Sequence, residues 1–195
     1  MRLIVVASLL FAIGCKPSEL DKDALIKYIS DPSNGLHKTE VAGDYTFDVV
    51  YRPSDLLIEE EVSGKHDATQ EAEAKKKFGD KIYFLVRISK GGKEALSVGD
   101  EGLTGYSDLV NTLSFRMGEF TKVITPSDTI SPIDSMLDRT FGVATSTNLI
   151  FVFSKNDVRL TDDMIFTISE FGLHTGNVRV RFDGNDIKSC PSLTW

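Results

Sequence analysis

Histidine, cysteine and tryptophan are scarce in this sequence, and each scarcity excludes a chemistry. The three histidines, His37, His66 and His174, lie far apart. No two have the three- or four-residue spacing that a metal site on one helix requires, so neither a metal nor a cofactor is expected. One tryptophan, Trp195, is too little for a sugar-stacking platform; it is expected to pack the last strand against the core. No G-x-S-x-G elbow, P-loop or dinucleotide fingerprint occurs. Gly99, Gly102 and Gly105 recur every third residue, but no clear strand leads into them and no strong helix follows. They read as a loop, not a phosphate cradle. Basic side chains are outnumbered, 22 against 29 acidic, for a net charge of −7. That balance disfavours nucleic acid and anionic lipid headgroups as partners.

Long apolar runs are absent apart from one. Leu3 to Ile13, behind Arg2 and interrupted only by Ser8, is shorter than the roughly 20 residues that span a bilayer. It suits the core of a cleavable signal. The run ends in Ala12-Ile13-Gly14-Cys15, which resembles the lipobox of bacterial lipoproteins, with Ala12 where the consensus has Leu. The resemblance implies a signal peptide over residues 1–14 and a diacylglycerol on the Cys15 thiol, with the new amine acylated in turn. Two or three acyl chains anchor stably where one does not. Residues 15–20 would form the lipidated leader and 21–195 a single domain. Lys16 after Cys15 is not the Asp that resembles an inner-membrane retention signal, so the expected location is the outer membrane. The signal holds one basic residue, so the mature chain carries 21 basic and 29 acidic side chains, a net of −8. With Cys15 lipidated, Cys190 is the sole remaining thiol and no intrachain disulfide forms. No histidine is near it in sequence, and it reads as a small buried filler.

The domain has the length for a real core. Ser18 and Asp21 have capping-box spacing before a helix with Leu25, Ile26 and Ile29 on one face. Pro32 and Asn34-Gly35 stop it. Tyr45 to Tyr51 alternates as a strand, with Leu36 to Val41 as its hairpin partner. Pro53 opens a second short helix, with Leu56 and Leu57 inward and Gly64 at its end. Asp67 to Phe78 is the clearest helix. Its N-terminus carries Asp67 and Gln70 as a capping box, its charges match the macrodipole, Glu71–Lys75 and Glu73–Lys77 are spaced to pair, and Gly79 ends it. Ile82 to Ile88 reads as a central strand covered on both faces. Tyr106 to Leu113 reads as a short helix capped by Ser107. From Phe115 the pattern turns to β: Glu119–Ile124, Asn148–Phe153, Met164–Ile168 and Val178–Phe182. Asp183-Gly184-Asn185 reads as a hairpin turn toward Ile187. The reading is α+β, with short helices mainly in the first half and an antiparallel sheet or sandwich dominating the second. Asp157, Asp162 and Asp163 around Arg159 read as a solvated loop.

Val49-Val50-Tyr51-Arg52-Pro53-Ser54-Asp55-Leu56 and Phe151-Val152-Phe153-Ser154-Lys155 resemble segments of small uncharacterised lipoproteins of the Bacteroidota. Asp128-Thr129-Ile130 and Asp134-Ser135-Met136 resemble the O-glycosylation sequon of such bacteria, which makes Thr129 and Ser135 candidate glycan acceptors. The anchor and the lack of a catalytic constellation point to a non-catalytic lipoprotein that works through contact with an outer-membrane protein complex. Two alternatives stay open: an envelope hydrolase whose site assembles only on folding, and a lipoprotein that binds a small ligand or glycan. Cys15→Ser should abolish incorporation of labelled fatty acid, and undiminished labelling of that variant would remove the lipoprotein reading.

Overall fold

The structure is a computed structural model and describes residues 17–62, 67–97, 102–138, 145–159 and 163–195. Cys15, Gly64, His66, Gly99 and Asp162 lie outside the described residues. The chain opens with a two-residue strand, β1 (Glu19–Leu20), and helix α1 (Lys22–Ser30) follows. Asp21, not Ser18, caps α1, its carboxylate accepting from the Ala24 N–H at 2.9 Å. A 3-10 turn, Pro32–Asn34, ends on Gly35 at φ +76°. A side chain there would collide with the Asp186 carboxylate as well as with its own backbone. Strands β2 (His37–Ala42) and β3 (Tyr45–Arg52) form a hairpin closed at Ala42 and Tyr45. Helices α2 (Ser54–Val62) and α3 (Ala68–Phe78) lead into β4 (Lys81–Lys90) and β5 (Lys93–Glu94). Helix α4 (Gly102–Asn111) runs through a π-helical turn, Thr112–Arg116, into α5 (Met117–Phe120). Then come β6 (Thr121–Ile124), β7 (Thr129–Ile130), β8 (Asp134–Asp138), β9 (Thr147–Ser154), β10 (Met164–Ile168) and β11 (Val178–Phe182). Helix α6 (Gly184–Lys188) and β12 (Ser192–Leu193) complete it.

The fold is α+β, built on antiparallel sheets. The larger has the order β2-β3-β4-β9-β8, with β5 on β4; the smaller has the order β11-β10-β6-β7. A third, two-stranded pair joins β1 to β12 in parallel. Strand alternation decides what the large sheet buries. Phe47, Val49 and Tyr51 on β3, Ile82, Phe84, Val86 and Ile88 on β4, and Leu149, Phe151 and Phe153 on β9 share its inner face by register. All are buried. Facing them from the smaller sheet are Phe166, Val180 and Phe182, also buried. Phe84 lies 5.1 Å from the Phe166 ring and 5.2 Å from the Phe182 ring. Within its own sheet it meets Phe153 edge-on at 6.0 Å. Full burial of each such ring contributes about 1.5 to 3 kcal/mol, with a further increment from tilted and edge-on ring contacts.

Helices α2 and α3 have a small core of their own, in which Ile58, Val62 and Ala74 are buried against Phe78. Asp67 caps α3 through the Thr69 N–H, and Lys75 pairs with Glu71 at 2.5 Å. Lys77 reaches across to Glu61 of α2 at 2.8 Å instead of back to Glu73. Gly79 ends α3 without entering the left-handed region; its need is for space, since a Cβ would stand 2.5 Å from the Lys75 carbonyl oxygen. No helix among the described residues is long and apolar enough to cross a membrane.

Several local expectations are corrected. Glu19–Leu20, assigned from the sequence to the leader ahead of the domain, is instead part of the folded unit and pairs with Ser192–Leu193. Helix α4 starts at Gly102, so Ser107 lies within it and Gly102 and Gly105 are helical. Helical structure continues through Phe115 to Phe120, and β6 starts at Thr121 instead of Glu119. Leu57 is only partly buried beside buried Leu56. Asp183 is a helix cap and not a hairpin turn: its carboxylate accepts from the Asn185 N–H at 2.8 Å and starts α6. Trp195 is 43 % exposed and does not pack into the core. Phe151→Ala should cost about 3 to 5 kcal/mol by urea unfolding. A loss below 1 kcal/mol, well under that range, would contradict the two-sheet core.

Candidate functional site

One concavity lies at one end of the large sheet and has a volume of about 340 Å³. Five separate segments build it. The β2–β3 turn supplies Gly43, Asp44 and Tyr45, and the end of β4 supplies Lys90. Leu96 and the α4 residues Tyr106 and Leu109 form a second side, and the loop after β10 adds Leu173 and His174. Register sets the first wall: Tyr45 and Lys90 are direct cross-strand partners. The Lys90 ammonium therefore lies over the Tyr45 ring, 5.3 Å from its centre, and 3.5 Å from the Asp44 carboxylate. Leu109 and Leu173 are buried and line the floor, while Tyr106, one helical turn before Leu109, is half exposed at the rim. Leu96 is held by its N–H, which donates to the hydroxyl of buried Thr147 at 3.2 Å. Apolar floor and polar rim together suit an amphipathic small molecule.

The loop carrying Leu173 and His174 is organised by one carboxylate. Glu170 Oε1 accepts from the N–H groups of Gly172, Leu173 and His174 at 2.7, 2.8 and 2.9 Å, and Oε2 from that of Gly176 at 2.6 Å. Asn177 closes the loop by accepting from the Glu170 N–H. Partial burial pushes the Glu170 carboxyl up, but the four backbone N–H groups together outweigh it and hold the group below its ordinary range. His174 takes a left-handed conformation, φ +56°, within this ring of donors. Outside glycine that region is sparsely used, so the clamp sets where the imidazole stands at the cavity mouth.

The other sequence-singled residues lie elsewhere. His37 bridges structure: its Nδ1 is 2.9 Å from the Ser30 carbonyl oxygen and its Nε2 3.0 Å from Asp48 Oδ1. The Thr39 hydroxyl donates to the same Asp48 oxygen. Both ring nitrogens face oxygen partners, and the ring ties the end of α1 to the β2–β3 hairpin. Cys190 is partly buried, and its thiol is pushed up to about 12 by burial and then by the nearby Asp55 carboxylate. A thiol so held is a poor nucleophile. Asp163 pairs with Arg181 and accepts from the Gly184 N–H, which gives it a structural partner instead of a place in a solvated loop. Among the described residues no three His, Cys, Asp or Glu side chains gather as metal ligands.

Thr129 is exposed on β7, in a polar hollow with Ser127, Asp128, Ser131, Asn156 and Arg159. Ser135 is half buried, because register puts it opposite Phe151 on the inner side of the edge strand β8. In both triplets the preceding aspartate accepts from the hydroxyl residue's own N–H, at 2.7 Å for Thr129 and 2.8 Å for Ser135. Thr129 is thus the more accessible acceptor of the two.

A second concavity, shallow and about 420 Å³, was not legible in the sequence. Phe115 and Gly118 line one side, Pro132 and Ile133 the other. Phe115 is 76 % and Ile133 56 % exposed. No family model, curated protein or solved structure matches the chain.

Glu170→Ala should speed amide hydrogen exchange at Gly172, Leu173, His174 and Gly176 and cost about 1.5 to 3 kcal/mol, the range for hydrogen bonds to a charged group. The native clamp's depressed carboxyl also fixes the sign with pH. Its contribution is present above the ordinary glutamate range, near pH 4.3, and is lost as the pH falls through the lower folded value. Unchanged exchange in the variant would remove the clamp.

Proposed function

We propose that this chain is a lipid-anchored lipoprotein of the cell envelope, held by lipid on Cys15, that acts without catalysis by contacting an integral protein of the outer membrane. The observation that supports the contact is the exposure of Phe115 and Ile133 across one groove. A phenylalanine carries a large apolar payload, and an apolar surface rimmed by polar groups marks a contact site. Ser114, Glu119 and Asp134 supply that polar rim. The π-helical turn at Thr112–Arg116 supports the same reading. It buries Leu113 and leaves Phe115 out, and π turns recur at functional sites. Thr129 is proposed as a glycan acceptor on the same domain, with Ser135 the less accessible one.

A second reading, binding of a small amphipathic ligand, is favoured by the cavity between Lys90, Tyr106 and His174, whose floor is apolar and whose His174 loop is fixed in advance by Glu170. Preorganisation of that kind lowers the entropic cost of binding.

The primary reading is tested by crosslinking in cells at native expression. Phe115→Ser should leave the urea midpoint nearly unchanged, because the ring is exposed. It should remove most of the crosslink to an integral outer-membrane protein. Crosslinks only to freely soluble proteins, or crosslinks indifferent to Phe115→Ser, would overturn it.

A further inference from the structure

The ribbon that joins the two ends of the described chain sets how the domain meets the membrane, an inference that rests on the lipid anchor proposed above. Ser18 is already fixed: its carbonyl oxygen accepts from the Ser192 N–H at 3.0 Å and from the Ser192 hydroxyl at 3.2 Å. The Leu20 carbonyl accepts from the Thr194 N–H at 2.8 Å. The free tether is therefore shorter than the whole leader. Cys15 precedes Ser18 by three residues, which reach at most about 11 Å when extended.

Trp195 belongs to the same ribbon. Glu19 pairs with Ser192 and Leu20 with Leu193, in parallel. Continued at strand rise, Trp195 lies roughly 13 Å along the ribbon from the level of Ser18. Its indole is 43 % exposed, and the Lys75 ammonium of α3 stands 5.4 Å from the ring centre. An indole flanked by a lysine is the pairing that collects at membrane–water boundaries. A lipid within about 11 Å of one end of the ribbon and an interfacial side chain at the other both reach one leaflet when the ribbon lies along it. An upright ribbon lifts Trp195 away from that surface. The domain is net acidic, so charge does not draw it there; the tether does, by keeping the local concentration of leaflet high.

We propose that the β1–β12 ribbon lies flat on the leaflet that holds the Cys15 lipid, with Trp195 in the headgroup region. The sequence contains one tryptophan, so its fluorescence reports this contact alone. The lipidated protein is reconstituted into phosphatidylcholine vesicles with or without bromine high on the acyl chains. Flotation with the vesicles, a blue shift of the emission and its loss on brominated lipid are the expected results. Flotation with unaltered emission would overturn the flat ribbon while leaving the anchor intact. Failure to float would overturn the anchor, and this inference with it. A long Gly-Ser insertion between Lys16 and Pro17 should keep flotation and restore the emission. Persistent quenching in that variant would show that Trp195 seeks lipid unaided, against the tether argument.

Discussion

The packing of Phe84 between the two sheets is the contact on which the rest of the architecture depends. Its ring touches Phe166 and Phe182 of the smaller sheet and Tyr51 and Phe153 of its own. Phe151 and Phe153 meet Phe166 in the same layer. These rings come from β3, β4 and β9 on one side and β10 and β11 on the other, so the sheets share one continuous core. Interiors packed at this density transmit displacements instead of absorbing them. The loops at the sheet ends are positioned by this core. The cavity between the β2–β3 turn and the Glu170 loop has walls from both sheets, and its shape follows from how the phenylalanines hold them together.

Where one physical signal dominated, the sequence could be read. Alternation in Tyr45–Tyr51 and Val178–Phe182 placed two strands, and Phe84, Val86, Phe151, Phe153, Phe166, Val180 and Phe182 are all buried as expected. The caps and charge order of α3 marked that helix from Asp67 to Gly79. Where signals competed, the reading failed. Asp183-Gly184-Asn185 has the residues of a tight turn and of a helix start alike; Asp163, distant in sequence, tips the balance by accepting from the Gly184 N–H. Gly102 and Gly105 each oppose a helix by about 1 kcal/mol. Burial of Leu109 and Leu113 further along overrides them. The strand Glu19–Leu20 is too short to show any period, and its partner is almost a whole domain away.

The candidate sites were hardly legible for a related reason. The cavity draws its residues from five separate segments, and none has a motif. Glu170 looked like one of many acidic residues, yet it accepts four backbone hydrogen bonds because the glycines at 172 and 176 let the chain curl around it. Phe115 lies two residues past buried Leu113, on the opposite side of the helical turn, and no motif sets it apart from the other phenylalanines.

The parallel pairing of β1 with β12 also orders events in time. Glu19 and Leu20 acquire their partners only when Ser192 and Leu193 are available, and contacts of such sequence separation are slow to close. As the chain is made from its amino end, the segment holding Glu19 and Leu20 emerges early and finds its strand partner last. Anything that acts on it before the last residues arrive meets an open, unpaired peptide. Completion of the fold then locks the same residues into the ribbon, so the accessibility of this segment changes once, at the end of folding.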